Sequence, residues 1–465
     1  MATVVPIERR QVLFVLGDTL AALLSLHGAY LLRFGFEPGD FQPLAAQHLA
    51  SGGTVFFVAT HLLLLYLSDA YQTSRDFRRA EELLRLWLAV VAAFALQMAL
   101  FYAVPEWWVG RGVAALSSLF FGLTLSGWRG LATAVRPRKA ARTRTLIVGA
   151  GGAGQAMAEV IRDHQDYART YDLLGFVDDR VQRSPTGLLV LGTGDKLVEL
   201  AQKHRADMLV VAIRGGMGRH LTQQLLECKR LGMEIHDMPT LYKSLTGKVP
   251  INHLADTWLI FGPGFDAQRR VPAAVQRLAD FVLALIGLLL TGPVIAIAAL
   301  MVKLESPGPA FFLQERLGLD EVPFTIIKLR TMRSDAEAKT GAVWSQGAGD
   351  ARVTRIGRFL RRSRIDELPQ FVNVLRGDMS MVGPRPERQH FVDLLKERIP
   401  FYGLRHAVKP GVTGWAQVMY RYGASEEDAA EKLRYELFAI QEMSVFLYCL
   451  IVLKTVQTVL IRPGS

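Results

Sequence analysis

The chain has 465 residues, 50% of them hydrophobic, and a formal net charge of +11. Its apolar residues gather in long runs, which excludes a wholly water-soluble protein, and the rest has room for one or two further folded units. The basic residues flank those runs instead of forming a compact Lys/Arg patch with interleaved aromatics, so membrane lipid and phosphorylated small molecules are favoured as partners over nucleic acid.

Four runs near the N-terminus, residues 12–31, 54–71, 83–104 and 112–135, approach the roughly 20 residues that a helix needs to cross a bilayer. No short apolar run with a small-residue cleavage site precedes them, so the first is expected to remain in the mature protein. Arg9 and Arg10 precede the first run, Arg75, Arg78 and Arg79 lie between the second and third, and Arg136, Arg138, Lys139, Arg142 and Arg144 follow the fourth. The positive-inside rule then places both ends of this four-helix domain in the cytoplasm. Glu37, Asp40 and Glu106, with Trp107 and Trp108, fall on the opposite side, where an aromatic belt belongs.

A different pattern begins at Thr145. An apolar strand, residues 145–148, runs into Gly149-Ala150-Gly151-Gly152-Ala153-Gly154 and then a helical stretch over 155–163. A second apolar segment ends at Val177-Asp178-Asp179, and residues 208–213 form a further buried-strand candidate. Strand, glycine turn and helix in that order predict a Rossmann-like domain over about 144–245. Gly149, Gly151 and Gly154 either let backbone amides approach a nucleotide phosphate or serve tight strand-to-helix packing; the pattern alone leaves both open.

Residues 281–302 are again apolar over a spanning length, but Thr291-Gly292-Pro293 sits in the middle, where proline removes a backbone donor. Arg269, Arg270 and Arg277 lie before this stretch, and Lys303, Arg316 and Lys328 lie after it. A full crossing would put one basic flank outside, so a bent helix that enters and returns on the cytoplasmic side is expected over about 275–304. A basic region follows to about residue 440, and the apolar stretch 444–461, with Lys454 and Gln457 on one side, predicts an interfacial helix.

The densest polar cluster is Arg361-Arg362-Ser363-Arg364-Ile365-Asp366-Glu367-Leu368-Pro369-Gln370, followed by Asn373, Gly377-Asp378-Met379-Ser380 and a Pro384-Arg385-Pro386 turn. Cations beside two adjacent carboxylates are expected to keep them ionised, as suits a nucleophile toward phosphorus or a ligand for magnesium. In isolation such a pair is more often a salt-bridged surface; a proline-locked basic domain tied to a bent apolar helix reverses that preference.

From about Gln276 onward the chain resembles the catalytic domain of the bacterial sugar transferases, the monotopic polyprenyl-phosphate phosphoglycosyl transferases. The resemblance rests on the bent helix, Ser306-Pro307-Gly308-Pro309, Gln314-Glu315-Arg316, Lys328-Leu329-Arg330-Thr331-Met332, the Asp366-Glu367 segment, Gly383-Pro384-Arg385-Pro386, and Lys409-Pro410-Gly411-Val412-Thr413-Gly414-Trp415-Ala416-Gln417-Val418 in order. It implies that Asp366 attacks the β-phosphorus of a UDP-hexose, expels UMP and carries a phosphosugar that undecaprenyl phosphate then accepts. It further implies that Glu367, with Asp366, holds Mg2+, and that Lys328, Arg361, Arg385 and Arg421 contact phosphate or shape the site. Where many members continue Asn-Gly-Arg, this chain has Met419-Tyr420-Arg421-Tyr422-Gly423, which keeps the arginine, changes its neighbours and is similar to an exopolysaccharide-type subgroup.

The expected architecture is therefore a membrane protein, α plus α/β. It has four transmembrane helices over 1–140, a Rossmann-like domain over 141–250, and an α/β catalytic domain over 268–465 anchored by a re-entrant helix. The resemblance adds a bacterial inner-membrane location, a cytoplasmic catalytic domain and self-association as a homodimer. His236, His253, His390 and His406 lack metal-ligand spacing and are read as surface or packing residues, Cys228 and Cys449 as buried thiols, and Trp344 and Trp415 as either core or substrate-facing. Two rivals make different demands. A nucleotide-sugar dehydratase needs a Tyr-x-x-x-Lys pair, which no tyrosine here supplies, and a non-catalytic nucleotide sensor has no use for the Asp366-Glu367 pair.

Overall fold

The computed structural model describes residues 9–34, 52–68, 70–71, 80–103, 110–134, 142–181, 187–254, 258, 273–333, 352–420, 423 and 425–461. The chain divides into two compact units, Met1–Ala140 and Ala141–Ser465.

The described part of the first unit is four helices: α1 (Arg9–Phe34), α2 (Gly52–Leu67), α3 (Ala80–Ala103) and α4 (Arg111–Ala134). They match the four expected runs, with α2 ending four residues early. By length and apolar composition, Leu13–Arg33 and Glu82–Phe101 are candidate membrane spans, and Gly52–Tyr66 is a shorter apolar helix. The core joins Phe14, Leu26, Phe57, Leu86, Phe121 and Leu125. Within it lies an ion pair that the charge pattern did not signal. Arg129 and Asp18 are both fully buried, and Arg129 also donates to the Ala70 carbonyl at 2.5 Å, while Trp128 Nε1 donates to Asp18 at 3.0 Å. The loop residues on which the orientation argument rests, Glu37, Asp40, Arg75, Arg78, Arg79, Glu106, Trp107, Trp108, Arg136, Arg138 and Lys139, lie outside the described residues.

The second unit begins with the expected alternation of strand and helix. It runs β1 (Thr143–Val148), α5 (Gly152–Asp163), α6 (Gln165–Thr170), β2 (Tyr171–Val177), β3 (Val190–Gly192), α7 (Leu197–Lys203), β4 (Met208–Val211), α8 (Arg219–Arg230), β5 (Glu234–Asp237) and α9 (Met238–Thr246). The five strands are parallel in the order β3-β2-β1-β4-β5. That order reverses the direction of winding between β1 and β4, next to the glycine turn that follows β1. Two of its glycines meet local demands, since Gly149 has φ +109° and a Cβ on Gly154 would lie 1.9 Å from the Gly149 carbonyl, whereas a Cβ on Gly151 would meet nothing within 4 Å. The Ala150 amide donates to Asp178 Oδ2 at 2.7 Å, so a protein carboxylate already takes one turn amide.

The next long helix after α9 is α10 (Ala273–Glu305), 33 residues with Pro293 inside the helix and mean hydropathy high enough for a membrane span. The next elements are β6 (Phe311–Leu317), β7 (Pro323–Leu329), α11 (Arg355–Arg362), a 3-10 turn over Ile365–Glu367, α12 (Gln370–Arg376), β8 (Ser380–Val382) and α13 (Gln389–Arg398). A longer 3-10 segment, Tyr402–Ala407, then leads into β9 (Gly411–Thr413), α14 (Trp415–Met419), α15 (Glu426–Glu442) and α16 (Val445–Ile461). β6 and β7 form an antiparallel hairpin, and β8 pairs in parallel with β9.

One face of α10 touches these elements along nearly its whole length. Near its start Arg277 donates to the Val374 and Leu375 carbonyls that end α12, and Asp280 accepts from Ser380, Met381 and Tyr448. Near its end Ile295, Ala298 and Val302 pack on Leu329 and Leu360, and Glu305 accepts from the Ile356 amide. The Rossmann-like sheet docks on the same body through α9. Lys243 pairs with Glu442, Lys248 with Glu431, and Trp415 Nε1 donates to the Gly247 carbonyl at 3.1 Å, which makes Trp415 a buried core residue.

Candidate active site

Asp366 and Glu367 stand on a single tight turn between two short helices, and the sequence sets that turn from both sides. Thr354 caps α11 by accepting from the Gly357 amide at 2.9 Å. Gly357 lies so close to Thr331 that a Cβ there would approach the Thr331 carbonyl to 2.0 Å, which presses α11 onto the end of β7. Arg364, at φ +59°, then reverses the chain, and Pro369 leads directly into α12. On α12 the fully buried Asn373 does the work of a missing strand. Its Nδ2 donates to the Thr325 carbonyl at 2.7 Å, and its Oδ1 accepts from the Ile327 amide at 3.0 Å. That bond fixes β7 one residue before Lys328.

The two carboxylates have opposite surroundings. Glu367 Oε1 accepts from Lys328 Nζ at 3.0 Å and from Arg385 Nη2 at 2.6 Å, with Arg364 3.7 Å from the other oxygen. Burial works against its charge, but Arg385 and Lys328 outweigh burial and hold Glu367 well below the usual carboxylate range. Asp366 is 9% exposed, and its carboxylate accepts no hydrogen bond from the described residues. Burial first, then the neighbouring Glu367 charge, pushes it up to about 6 against the pull of Lys328, Arg361 and Arg385. Both carboxylates are thus mainly ionised at neutral pH, as the sequence leads one to expect, with Asp366 much the weaker acid of the two. Lys328 is itself drawn down by burial, which Glu367 opposes.

Of the remaining predicted residues, Arg361 donates to Thr331 Oγ1 at 2.9 Å and reaches Asp366 through its charge. Arg421 and Trp344 lie outside the described residues. Gly149, Gly151 and Gly154 belong to the Rossmann-like sheet and are no part of this cluster. His390 is exposed, His236 and His253 are half-buried, and His406 is buried with Nδ1 3.2 Å from the Gly318 carbonyl. Cys228 is buried and Cys449 half-buried.

Among the described residues no group of three or more His, Cys, Asp or Glu could hold a metal. Magnesium commonly takes one or two protein carboxylates and completes its shell with substrate phosphates and water. Asp366, with no hydrogen-bond donor on it, and the less engaged oxygen of Glu367 fit that habit.

Several residues that build the site were not singled out in the sequence. Arg330, inside the Lys328–Met332 segment, ties the Ser306 and Pro307 carbonyls at 2.8 and 2.7 Å. Gly383 and Gly411 let two backbones cross, since a Cβ on Gly411 would lie 2.1 Å from the Gly383 nitrogen. Arg405 and Glu436 form a pair that is 5% and 6% exposed, beneath Arg385. No local signal marks Glu436, which follows Glu431, Lys432 and Arg434 on the same charged helix.

Comparison with known proteins bears on this arrangement. Residues 271–462 match the family model described as bacterial sugar transferase, and residues 66–239 match one described as a CoA-binding domain. A UDP-glucose:undecaprenyl-phosphate glucose-1-phosphate transferase of Xanthomonas campestris pv. campestris is 30% identical over 455 residues, 92% of this chain and 90% of that protein. A protein of the same name from Caulobacter vibrioides is 44% identical over 209 residues, 44% of this chain and 78% of that protein. A UDP-N-acetylgalactosamine-undecaprenyl-phosphate N-acetylgalactosaminephosphotransferase of Aeromonas hydrophila is 42% identical over 241 residues, 52% of this chain and only 56% of that protein's length.

Proposed function

This chain belongs to the bacterial sugar transferase family, and we propose that it is a membrane phosphotransferase that moves a hexose 1-phosphate from a UDP-sugar to undecaprenyl phosphate. The observation that carries the reading is the division of labour in the pair. Glu367 gathers Lys328 and Arg385, while Asp366 stays buried, without a hydrogen-bond donor among the described residues, and more basic than an ordinary aspartate. A carboxylate in that state is a better nucleophile than one neutralised by a salt bridge.

In the first step an Asp366 oxygen forms a bond to the β-phosphorus, the bond from that phosphorus to the bridging oxygen breaks, and UMP leaves with the bonding pair. In the second, an oxygen of undecaprenyl phosphate attacks the same phosphorus, Asp366 is released as carboxylate, and the lipid diphosphate sugar departs. Lys328, Arg361 and Arg385 offset charge on the diphosphate as the bridging bond breaks. Asp366 and Glu367 would hold Mg2+, which when bound supplies further neutralisation of the leaving group.

The acceptor's headgroup lies at the bilayer surface, and α10 suits an anchor at that level. The stretch of α10 from Arg277 to Glu305 would span about 42 Å if straight, longer than the roughly 30 Å hydrocarbon core. Contacts to one soluble body at both ends support a helix that enters and returns on one side, the cytoplasmic side by its basic flanks. The four helices of the first unit would add transmembrane anchorage in the inner membrane, and the Rossmann-like domain would be structural or regulatory.

The test is UMP release by purified protein from a panel of UDP-hexoses, with and without undecaprenyl phosphate and Mg2+. Turnover that requires the lipid and disappears in Asp366→Asn supports the reading and identifies the sugar. Lipid-linked product from Asp366→Asn at the wild-type rate would refute the nucleophile.

A further inference from the structure

The turn that carries Arg385 is held almost entirely by its carbonyls. Pro384 and Pro386 have no amide hydrogen, so the segment has few donors with which to fix itself. Each of its four successive carbonyls has a partner: Pro384 the Gly411 amide at 2.8 Å, Arg385 the Nη2 of Arg405 at 2.9 Å, and, from neighbouring residues of β6, Pro386 the Nη1 of Arg316 at 3.3 Å and Glu387 the Leu317 amide at 3.0 Å. Three of these partners are backbone amides or a half-buried side chain. The one beneath Arg385 is a buried guanidinium.

Arg405 is fixed in turn. Its Nε and Nη2 donate to the two oxygens of Glu436 at 2.9 and 2.8 Å, and Nη1 donates to the Tyr402 hydroxyl at 2.7 Å. A planar guanidinium held by a carboxylate on α15 can aim a further N–H at one carbonyl with little freedom; a lysine ammonium cannot serve all these acceptors at once. The Arg385 main chain is thereby set where its side chain reaches Glu367 Oε1 at 2.6 Å.

We propose that Arg405, clamped by Glu436, is a positioning residue that aims Arg385 at the Asp366–Glu367 pair and so sets the rate of phosphosugar transfer. The proposal rests on the functional reading of that pair given above. Arg405 touches neither carboxylate; it acts through the Arg385 carbonyl. Misplacing a catalytic cation by about 1 Å lowers rates by up to roughly 100-fold, so a loss of about 10- to 100-fold is expected when the fork is removed and the fold is kept.

The experiment uses the full-length protein in detergent and compares Arg405→Lys, Tyr402→Phe, Arg385→Ala and the double variant Arg385→Ala/Arg405→Lys, each with its thermal unfolding temperature. Arg405→Lys should lower kcat by about 10- to 100-fold while the donor KM moves by less than about threefold. Tyr402→Phe keeps the bond to the Arg385 carbonyl and should stay within about twofold of wild type. In the Arg385→Ala background, Arg405→Lys should cause no further loss. Losses that multiply in the double variant, or that follow unfolding temperature across all variants including Tyr402→Phe, would overturn the proposal. A second readout does not depend on activity: labelling by an arginine-specific dicarbonyl, mapped by mass spectrometry. Slow labelling of Arg385 in wild type and fast labelling in Arg405→Lys supports positioning, and equal labelling overturns it. Were wild type inactive with every donor, the fault would lie with the proposed reaction, and the labelling would still decide the role of Arg405.

Discussion

Acidification should switch the enzyme off near pH 6, well above the pH at which an ordinary aspartate takes up its proton. In the proposed reaction Asp366 attacks as the carboxylate, and burial together with the Glu367 charge pushes this group up to about 6. Roughly nine-tenths of it is then ionised at pH 7 and roughly one-tenth at pH 5, so the single-turnover rate of UMP release should fall about tenfold over that interval. Glu367, held down by Arg385 and Lys328, adds no titration there. The same displacement predicts an inverse effect on stability. A carboxyl whose pKa is raised by folding contributes its stability below its unfolded value near 3.8, and that contribution is lost as pH rises through about 6. The ionised Asp366 therefore costs about 3 kcal/mol at neutral pH. Asp366→Asn should abolish turnover yet unfold at the same or a higher temperature than wild type at pH 7, with the advantage shrinking toward pH 4. Stopped-time UMP assays across pH and thermal unfolding in detergent measure both. An acid limb at or below about pH 4.5, or an Asn variant clearly less stable than wild type at neutral pH, would refute the reasoning.

Asp366 should respond in opposite directions to changes at Lys328 and at Glu367. Lys328→Met removes a cation that lowers Asp366, so the acid limb of the UMP-release profile should move to higher pH, whereas Glu367→Gln removes a charge that raises Asp366 and should move the limb lower while reducing the maximal rate. Asn373→Ala leaves the Thr325 carbonyl and the Ile327 amide without their partner, a loss of about 2–4 kcal/mol readable by thermal unfolding, together with loss of activity through the adjacent Lys328. In the first unit, Arg129→Met alone strands a fully buried Asp18 and should destabilise by about 3–5 kcal/mol, while Asp18→Leu/Arg129→Met should recover most of it in a double-mutant cycle.

What the sequence made legible follows from the range of the interactions involved. The helices of the first unit and the strand, glycine turn and helix at Thr143–Asp163 were readable because periodicity and turn chemistry are local. So was the meeting of Lys328, Arg385 and Glu367, although only a motif resemblance brought together residues separated by 39 and 18 positions. Asn373, Arg405 with Glu436, and Asp18 with Arg129 were not readable as partners. Their bonds run across about 20 to 110 residues of sequence, and Asn373, Arg405 and Arg129 each also bond backbone groups that carry no residue identity. The split within the pair was hidden for a related reason: adjacent carboxylates look alike in sequence, and only the direction of each side chain decides which one receives the cations.

That direction explains why two carboxylates stand here and not one. With a single aspartate among Lys328, Arg361 and Arg385, the cations would settle on the nucleophile and hold its proton affinity down, and a carboxylate so stabilised attacks phosphorus poorly. Glu367 engages Lys328 and Arg385 directly, which would keep both cations near the diphosphate of the proposed donor, while Asp366 has no donor among the described residues. In the proposed reaction the cations would then stabilise departing phosphate charge without having first neutralised the attacking group. The same logic places the structural demand on Glu367's partners: Lys328 through β7 and Asn373, Arg385 through the proline turn and Arg405. Both supports reach the site through backbone groups of the segments that carry the cations, so the precision of the chemistry depends on how firmly β7 and the 383–387 turn are held.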